Sequence, residues 1–182
     1  IEPEAVVHPE SNEEVSAALR WAGESGVRII VVGSGRHLPA LWQEGRFVVL
    51  STARLNGIEI YEPADLTLTA RSGTSLADID AELRSHSQWL PFDPPRLLDR
   101  TLGGFVATGQ SGPLWMGYGE LRNHVLGMTI VSGDGRLLKL GGRVMKNVAG
   151  FDLLKPIVGS HGRFGVITSV SIRAFPVPAV ER

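Results

Sequence analysis

An α+β fold of two lobes is what this 182-residue sequence predicts: a small β-α-β unit, then a larger lobe with an antiparallel sheet and flanking helices. Three observations carry that expectation. A capped amphipathic helix near the start runs directly into a short apolar strand. Strands of period two, with an Asp-Gly turn, mark the later part of the chain. Glycines, 22 in all, gather beside these elements, mainly between 103 and 165.

The first helix is signalled by Ser11 and Glu14 at capping-box spacing. Val15, Ala18, Leu19 and Ala22 then form one apolar stripe. Gly26 suits the C′ position, and "VRIIVVG" (27–33) reads as a buried strand. A glycine-bearing loop, "GSGRHLPA" (33–40), follows its C-terminal end. "FVVLSTARLNGIEIYEP" (47–63) adds a second buried strand and a third, closing a first lobe of about 1–62.

The second lobe, about 63–176, opens with a half-exposed strand in which Leu66, Leu68 and Ala70 alternate with Thr67, Thr69 and Arg71. Leu76, Ile79 and Leu83 then share one face of a helix. "TLGGFVATGQSGP" (101–113) reads as a short glycine-rich helix capped by Thr101 and ending in a loop. "HVLGMTIVSGDGRLLKL" (124–140) is a hairpin with Asp134-Gly135 at its turn. In the last strand Val166, Thr168, Val170 and Ile172 share one face, with Ile167, Ser169 and Ser171 on the other. A tail of 177–182 completes the chain, read as one domain over 1–182.

Composition narrows the functions. A formal charge of −1 with interspersed signs argues against nucleic acid or anionic membrane as the main partner. With no cysteine, disulfides, iron–sulfur ligation and thiolate zinc sites are excluded. The longest apolar runs are strand-length, so no transmembrane segment is expected, and no signal peptide is visible. No His pair has metal spacing with a carboxylate nearby, and no metal site is expected. His8, His86 and His124 read as surface or interface residues, and His161 as solvated between loop glycines, with one hydrogen bond to a ligand left open to it.

The glycine-rich loops at 33–38, 103–112 and 159–165 lie beside strand ends or helix starts, where backbone N–H groups can converge on an anion. A diphosphate is the usual biological anion needing several such donors. Neither a Rossmann fingerprint nor a Walker motif is present, so a nucleotide would be held between separated segments.

At "VVGSGRHL", "TLGGFVATGQSGP", "HVLGMTIVSGDG" and "KNVAGFDLLKPIVGSHGRFGVITSVSI" the chain resembles FAD-binding oxidoreductases of the vanillyl-alcohol oxidase (PCMH) type. Within that group it is most similar to the FAD-binding subunit of bacterial glycolate oxidase, a relative of the D-lactate dehydrogenases. The resemblance covers nearly the whole chain in order.

It implies that Gly33, Ser34, Gly35, Arg36, His37 and Leu38 form the diphosphate loop. Thr101, Leu102, Gly103 and Gly104 would start the helix that meets the diphosphate and ribityl chain. Ala107, Gly109, Ser111 and Gly112 would run beside the isoalloxazine, with Tyr118 following in a "YG" pair. Gly159 to Gly165 would pass along the flavin, and Val166 and Ile167 would bond the adenine through their backbone. On this view Gly165→Val evicts FAD with little loss of sheet.

Related enzymes often carry "GGG" where Arg36-His37 follows Gly35 here, and basic residues after "SGP" where this chain has Leu114 and Trp115. Some relatives attach the flavin to a histidine of this loop; a non-covalent contact by His37 is expected instead. No substrate cap domain is expected within 1–182, and no catalytic base or carboxylate clamp is nominated. Arg36, Arg122 and Lys146 read as structural ion pairs.

The resemblance implies an FAD-dependent oxidoreductase subunit oxidising a 2-hydroxy acid, glycolate to glyoxylate, with electrons passing through FAD. Its partners would be a second flavoprotein subunit and an iron–sulfur subunit. The cytoplasm is the expected location, with any membrane association made through those partners. Two alternatives stay open: a non-catalytic FAD-binding assembly subunit, and a stand-alone small dehydrogenase.

Overall fold

The computed structural model describes residues 2–35, 45–142 and 153–179. Its first sheet is parallel, in the order β1 (Val6–Val7), β3 (Phe47–Ser51), β2 (Arg28–Val32). Helix α1 (Asn12–Ser25) packs its Val15, Leu19 and Ala22 stripe inward. Ser11 Oγ accepts the Glu14 N–H at 3.2 Å, and Gly26 ends the helix in the left-handed region with φ 62°. The return arm of the cap reaches one residue further than a capping box, since Glu14 Oε2 accepts the Glu10 N–H at 2.8 Å.

The second sheet has five antiparallel strands in the order β4 (Ile58–Glu62), β5 (Thr67–Arg71), β9 (Val166–Arg173), β7 (Val125–Val131), β8 (Leu137–Gly141). Strand β4 corrects the expected first lobe: residues 58–62 pair with β5, so the first sheet ends at Ser51. The turn between β4 and β5 also removes Leu66 from the alternating strand. A 3-10 turn at Pro63–Asp65 leaves Leu66 at φ 56°, and pairing begins at Thr67.

Strand β9, late in the chain, lies at the centre of this sheet between β5 and β7. Beneath it lie α2 (Leu76–Ser85) and α3 (Leu102–Thr108), whose Leu76, Ile79, Leu83, Leu102, Phe105 and Val106 join the larger core. A short pairing of β6 (Gln88–Trp89) with β10 (Phe175–Pro176) closes one side. The short helices α4 (Trp115–Tyr118) and α5 (Leu154–Ile157) lie in the connections.

The expected single face of the last strand is interrupted. Thr129 pairs with Ser169, but Ile130 pairs with Ile167, leaving Thr168 as an extra residue opposite β7. This bulge re-phases the side chains. Ile167 therefore joins Val170 and Ile172 in the larger core, while Val166 turns to the smaller one with Val15, Leu19, Leu50, Leu55 and Val131. One strand thus serves both cores and couples the lobes.

Candidate functional site

Helix α3 stands where the lobes meet, and its two ends are held differently. Leu102 N–H donates to the Thr74 carbonyl at 2.9 Å, Gly103 N–H to that of Ser72 at 2.7 Å, and Gly104 N–H to Thr101 Oγ1 at 3.3 Å. The free donors expected at this helix start are therefore engaged within the chain. At the other end the carbonyls of Val106 and Ala107 accept the N–H groups of Gly159 and His161 at 3.0 and 2.9 Å. The 158–161 loop is thus sewn onto the helix terminus, and α3 becomes a shared wall for two clefts.

The first cleft is narrow. Gly33 at the end of β2, Gly103, Gly104 and Ala107 of α3, and Gly165 and Ile167 at the start of β9 line it together with Ser72 and His161. The second is wide, with a volume of about 940 Å³, bordered by Gly109, Ser111, Gly112 and Gly159 together with Gln110 and Trp115. Segments far apart in sequence therefore converge, as the glycine loops predicted. Of the segment expected to form a diphosphate loop, Gly33, Ser34 and Gly35 are described, and Gly35 takes φ 76°. Arg36, His37 and Leu38 lie outside the described residues, as do Lys146 and most of "KNVAGFD".

The glycines separate into two kinds. A Cβ at Gly33 would lie 2.3 Å from Thr101 Oγ1, at Gly103 2.6 Å from Ser72 Cβ, and at Gly109 2.9 Å from Gly159 Cα. One at Gly112 would lie 2.4 Å from the Asp93 carbonyl carbon, and one at Gly165 2.3 Å from the Val131 oxygen. These five let the chain approach itself. Gly112 and Gly165, expected to admit a cofactor, thus have a packing reason of their own. At Gly104 the added atom would meet Thr101 Oγ1 at 3.1 Å, and at Gly159 and Gly162 nothing closer than 3.9 Å. Those three leave room that the protein itself does not fill.

Other expected residues have structural duties. Leu102 is fully buried in the larger core, and Val166 packs in the smaller one. Ser111 Oγ accepts the Leu121 N–H at 2.9 Å. The Tyr118 ring lies edge-on to Trp89 and Phe175, each centroid 5.6 Å away, and lines neither cleft. His124 is a correction: only 5% exposed, it packs against Phe92 and Phe175 and donates from Nε2 to the Tyr118 carbonyl at 2.8 Å. Arg122 makes the expected ion pair, 2.6 Å from Glu120.

Sequence reasoning missed Ser72, fully buried at the narrow cleft, whose Oγ has no partner among the described residues. Such a hydroxyl is costly unless something in the cleft satisfies it. Its signal was Gly73, whose missing Cβ would lie 2.0 Å from the Thr52 carbonyl oxygen, marking a close crossing at the end of β5. The fit to FAD follows. The narrow cleft, with its hydroxyl and open glycines, suits the sugar–phosphate portion of the dinucleotide. The wide cleft, walled by Pro94, Pro95 and Trp115, suits a flat ring system.

Comparison with known proteins agrees. A family profile described as an FAD binding domain matches residues 3–141. Glycolate oxidase subunit GlcE of Escherichia coli (strain K12) is 47% identical over 123 residues, 67% of this chain and 35% of that protein. D-lactate dehydrogenase of Archaeoglobus fulgidus is 36% identical over 175 residues, 94% of this chain and 38% of that one. Among solved structures, an alkyldihydroxyacetonephosphate synthase superposes with TM-score 0.83 at 26% identity, covering 96% of this chain and 32% of its own. The chain spans about a third of the length of the curated relatives it matches. The family profile, matching most of the chain, and these relatives place the chain in the FAD-binding domain family, with FAD as its cofactor.

Proposed function

We propose that the chain is the flavin-holding part of an FAD-dependent 2-hydroxy-acid oxidoreductase of glycolate-oxidase type, working with partner subunits. The observation that carries this reading is the pair of clefts sharing α3 as a wall, one narrow and hydroxyl-lined, the other wide and partly apolar. Likeness to GlcE, and to subunit GlcD of Bacillus subtilis at 31% identity over 182 residues, supports the glycolate-oxidase assignment.

When bound, FAD would supply a two-electron acceptor for the hydroxy acid. The chain's own residues bind, orient and shield. Gly104 and Gly162 leave space against bare backbone along the narrow cleft, and Ser72 offers a buried hydroxyl there. Gly159 and Gly109 meet back to back and keep the wall of the wide cleft thin. Pro94, Pro95 and Trp115 keep water from a ring lying against them. FAD held at this site would be non-covalent.

The test begins with FAD uptake by the purified chain, read from the flavin absorbance bands. Glycolate or D-lactate is then added without oxygen. Bleaching that requires partner subunits supports the reading, and bleaching by the lone chain favours a self-sufficient dehydrogenase. Bleaching in neither case leaves a non-catalytic assembly subunit. Protein that cannot take up FAD sinks all three.

A further inference from the structure

We propose that Gln110 donates its side-chain amide to a carbonyl or carboxylate oxygen in the wide cleft, and that Arg100 is the positioning residue that turns it so. The inference rests on the function proposed above. Arg100 stands just before the N-cap of α3 and Gln110 just after its C-cap Gly109. Seven residues at 1.5 Å each separate the helix ends by about 10 Å, which a long arginine side chain and a glutamine span together. The buried Arg100 donates from Nη2 to Gln110 Oε1 at 2.8 Å and to the Pro95 carbonyl at 3.0 Å.

A guanidinium only donates, so the atom of Gln110 that faces it must be oxygen. That settles the amide's orientation. Its Nε2, carrying two donors, makes no hydrogen bond among the described residues. Gln110 is exposed and borders the wide cleft, beside Pro94, Pro95, Trp115 and Met116. A fixed amide donor among apolar neighbours is the kind of group that orients a ligand. An acceptor oxygen is the matching chemistry, from the flavin's ring carbonyls or from the carboxylate of an organic acid.

The test compares the full chain with Gln110→Leu, Gln110→Glu and Arg100→Lys, measuring dissociation constants for FAD and for oxalate, a non-oxidisable acid probe, with thermal midpoints alongside. Gln110→Glu places a carboxylate beside the guanidinium, so its midpoint should hold or rise while binding weakens about tenfold or more. Gln110→Leu should weaken binding about fivefold, the loss of one hydrogen bond, and Arg100→Lys should follow it. A change confined to FAD, with a shifted visible band, identifies the flavin as acceptor; a change confined to oxalate identifies the acid. Binding that merely tracks the midpoints, or changes under twofold in Gln110→Glu, overturns the inference alone. Wild-type chain that binds neither probe overturns the functional reading as well.

Discussion

Gly165 and Val131 touch where β9 leaves the cleft: a Cβ on Gly165 would lie 2.3 Å from the Val131 carbonyl oxygen and 3.0 Å from Ser132 Cα. Gly165 also sits at φ 143°, a conformation that L side chains rarely adopt. The contact is backbone against backbone, so no rotamer change relieves it.

Gly165→Val is therefore expected to damage the sheet as well as the cofactor site. Steric strain and positive φ together should cost about 3 kcal/mol or more. A denaturant midpoint measured without FAD checks this. A variant that folds like wild type yet loses FAD would restore the purely cofactor-facing role that the sequence suggested.

Gly104→Ala is the complementary experiment. The new methyl would meet only Thr101 Oγ1, at 3.1 Å, and otherwise project into the narrow cleft. Alanine in place of glycine within a helix contributes roughly 0.5–1 kcal/mol, offsetting that tight contact. The flavin-free protein should thus keep its stability to within about 1 kcal/mol, while FAD affinity falls about tenfold or more. Unchanged affinity would remove Gly104 from the site.

Ser72→Ala removes a buried hydroxyl that has no partner among the described residues. Stability of the flavin-free protein should hold or rise by up to about 1 kcal/mol, since an unsatisfied buried polar group is lost. FAD affinity should fall about fivefold, the worth of one hydrogen bond. A clear loss of stability with unchanged affinity would mean that the hydroxyl serves the fold.

His124 predicts a pH dependence. Burial pushes its imidazole pKa below the ordinary value, the backbone hydrogen bonds to Tyr118 and Gly119 pull it back up, and the nearby Arg173 lowers it further. Its folded pKa is below its unfolded pKa, so the native state prefers the neutral ring. The stability tied to this preference is complete above about pH 6.5 and falls as pH drops from there through the folded pKa. The slope in that window stays below about 1.4 kcal/mol per pH unit, the limit for one proton. The carboxylates of Glu4 and Asp134, both shifted down, act only below their ordinary range. Urea midpoints between pH 7.5 and 5.5 should fall in wild type and stay flatter in His124→Gln. Parallel curves would acquit the residue.

Much of the secondary structure was legible because its signals are local. The Ser11 cap, the Val15–Leu19–Ala22 stripe, the Asp134-Gly135 turn and the Thr101-capped helix each depend on residues within one or two turns. The convergence of glycine segments was legible too, as a motif shared with a family. What the pattern did not reveal was why each glycine is there. That depends on which backbone arrives opposite it.

By itself, then, the sequence determined the three longest helices, most strands, the α+β class and the flavin-binding character. Only the tertiary structure decided that β4 leaves the first lobe, that β9 lies mid-sheet, and that the Thr168 bulge sends Val166 and Ile167 to different cores. It also decided that Gly112 and Gly165 face protein backbone while Gly104, Gly159 and Gly162 leave space, and that Arg100 reaches Gln110 along α3. The physical reason is separation along the chain. Periodicity records which way a side chain points relative to its neighbours, whereas strand partners and backbone crossings depend on segments a hundred residues away.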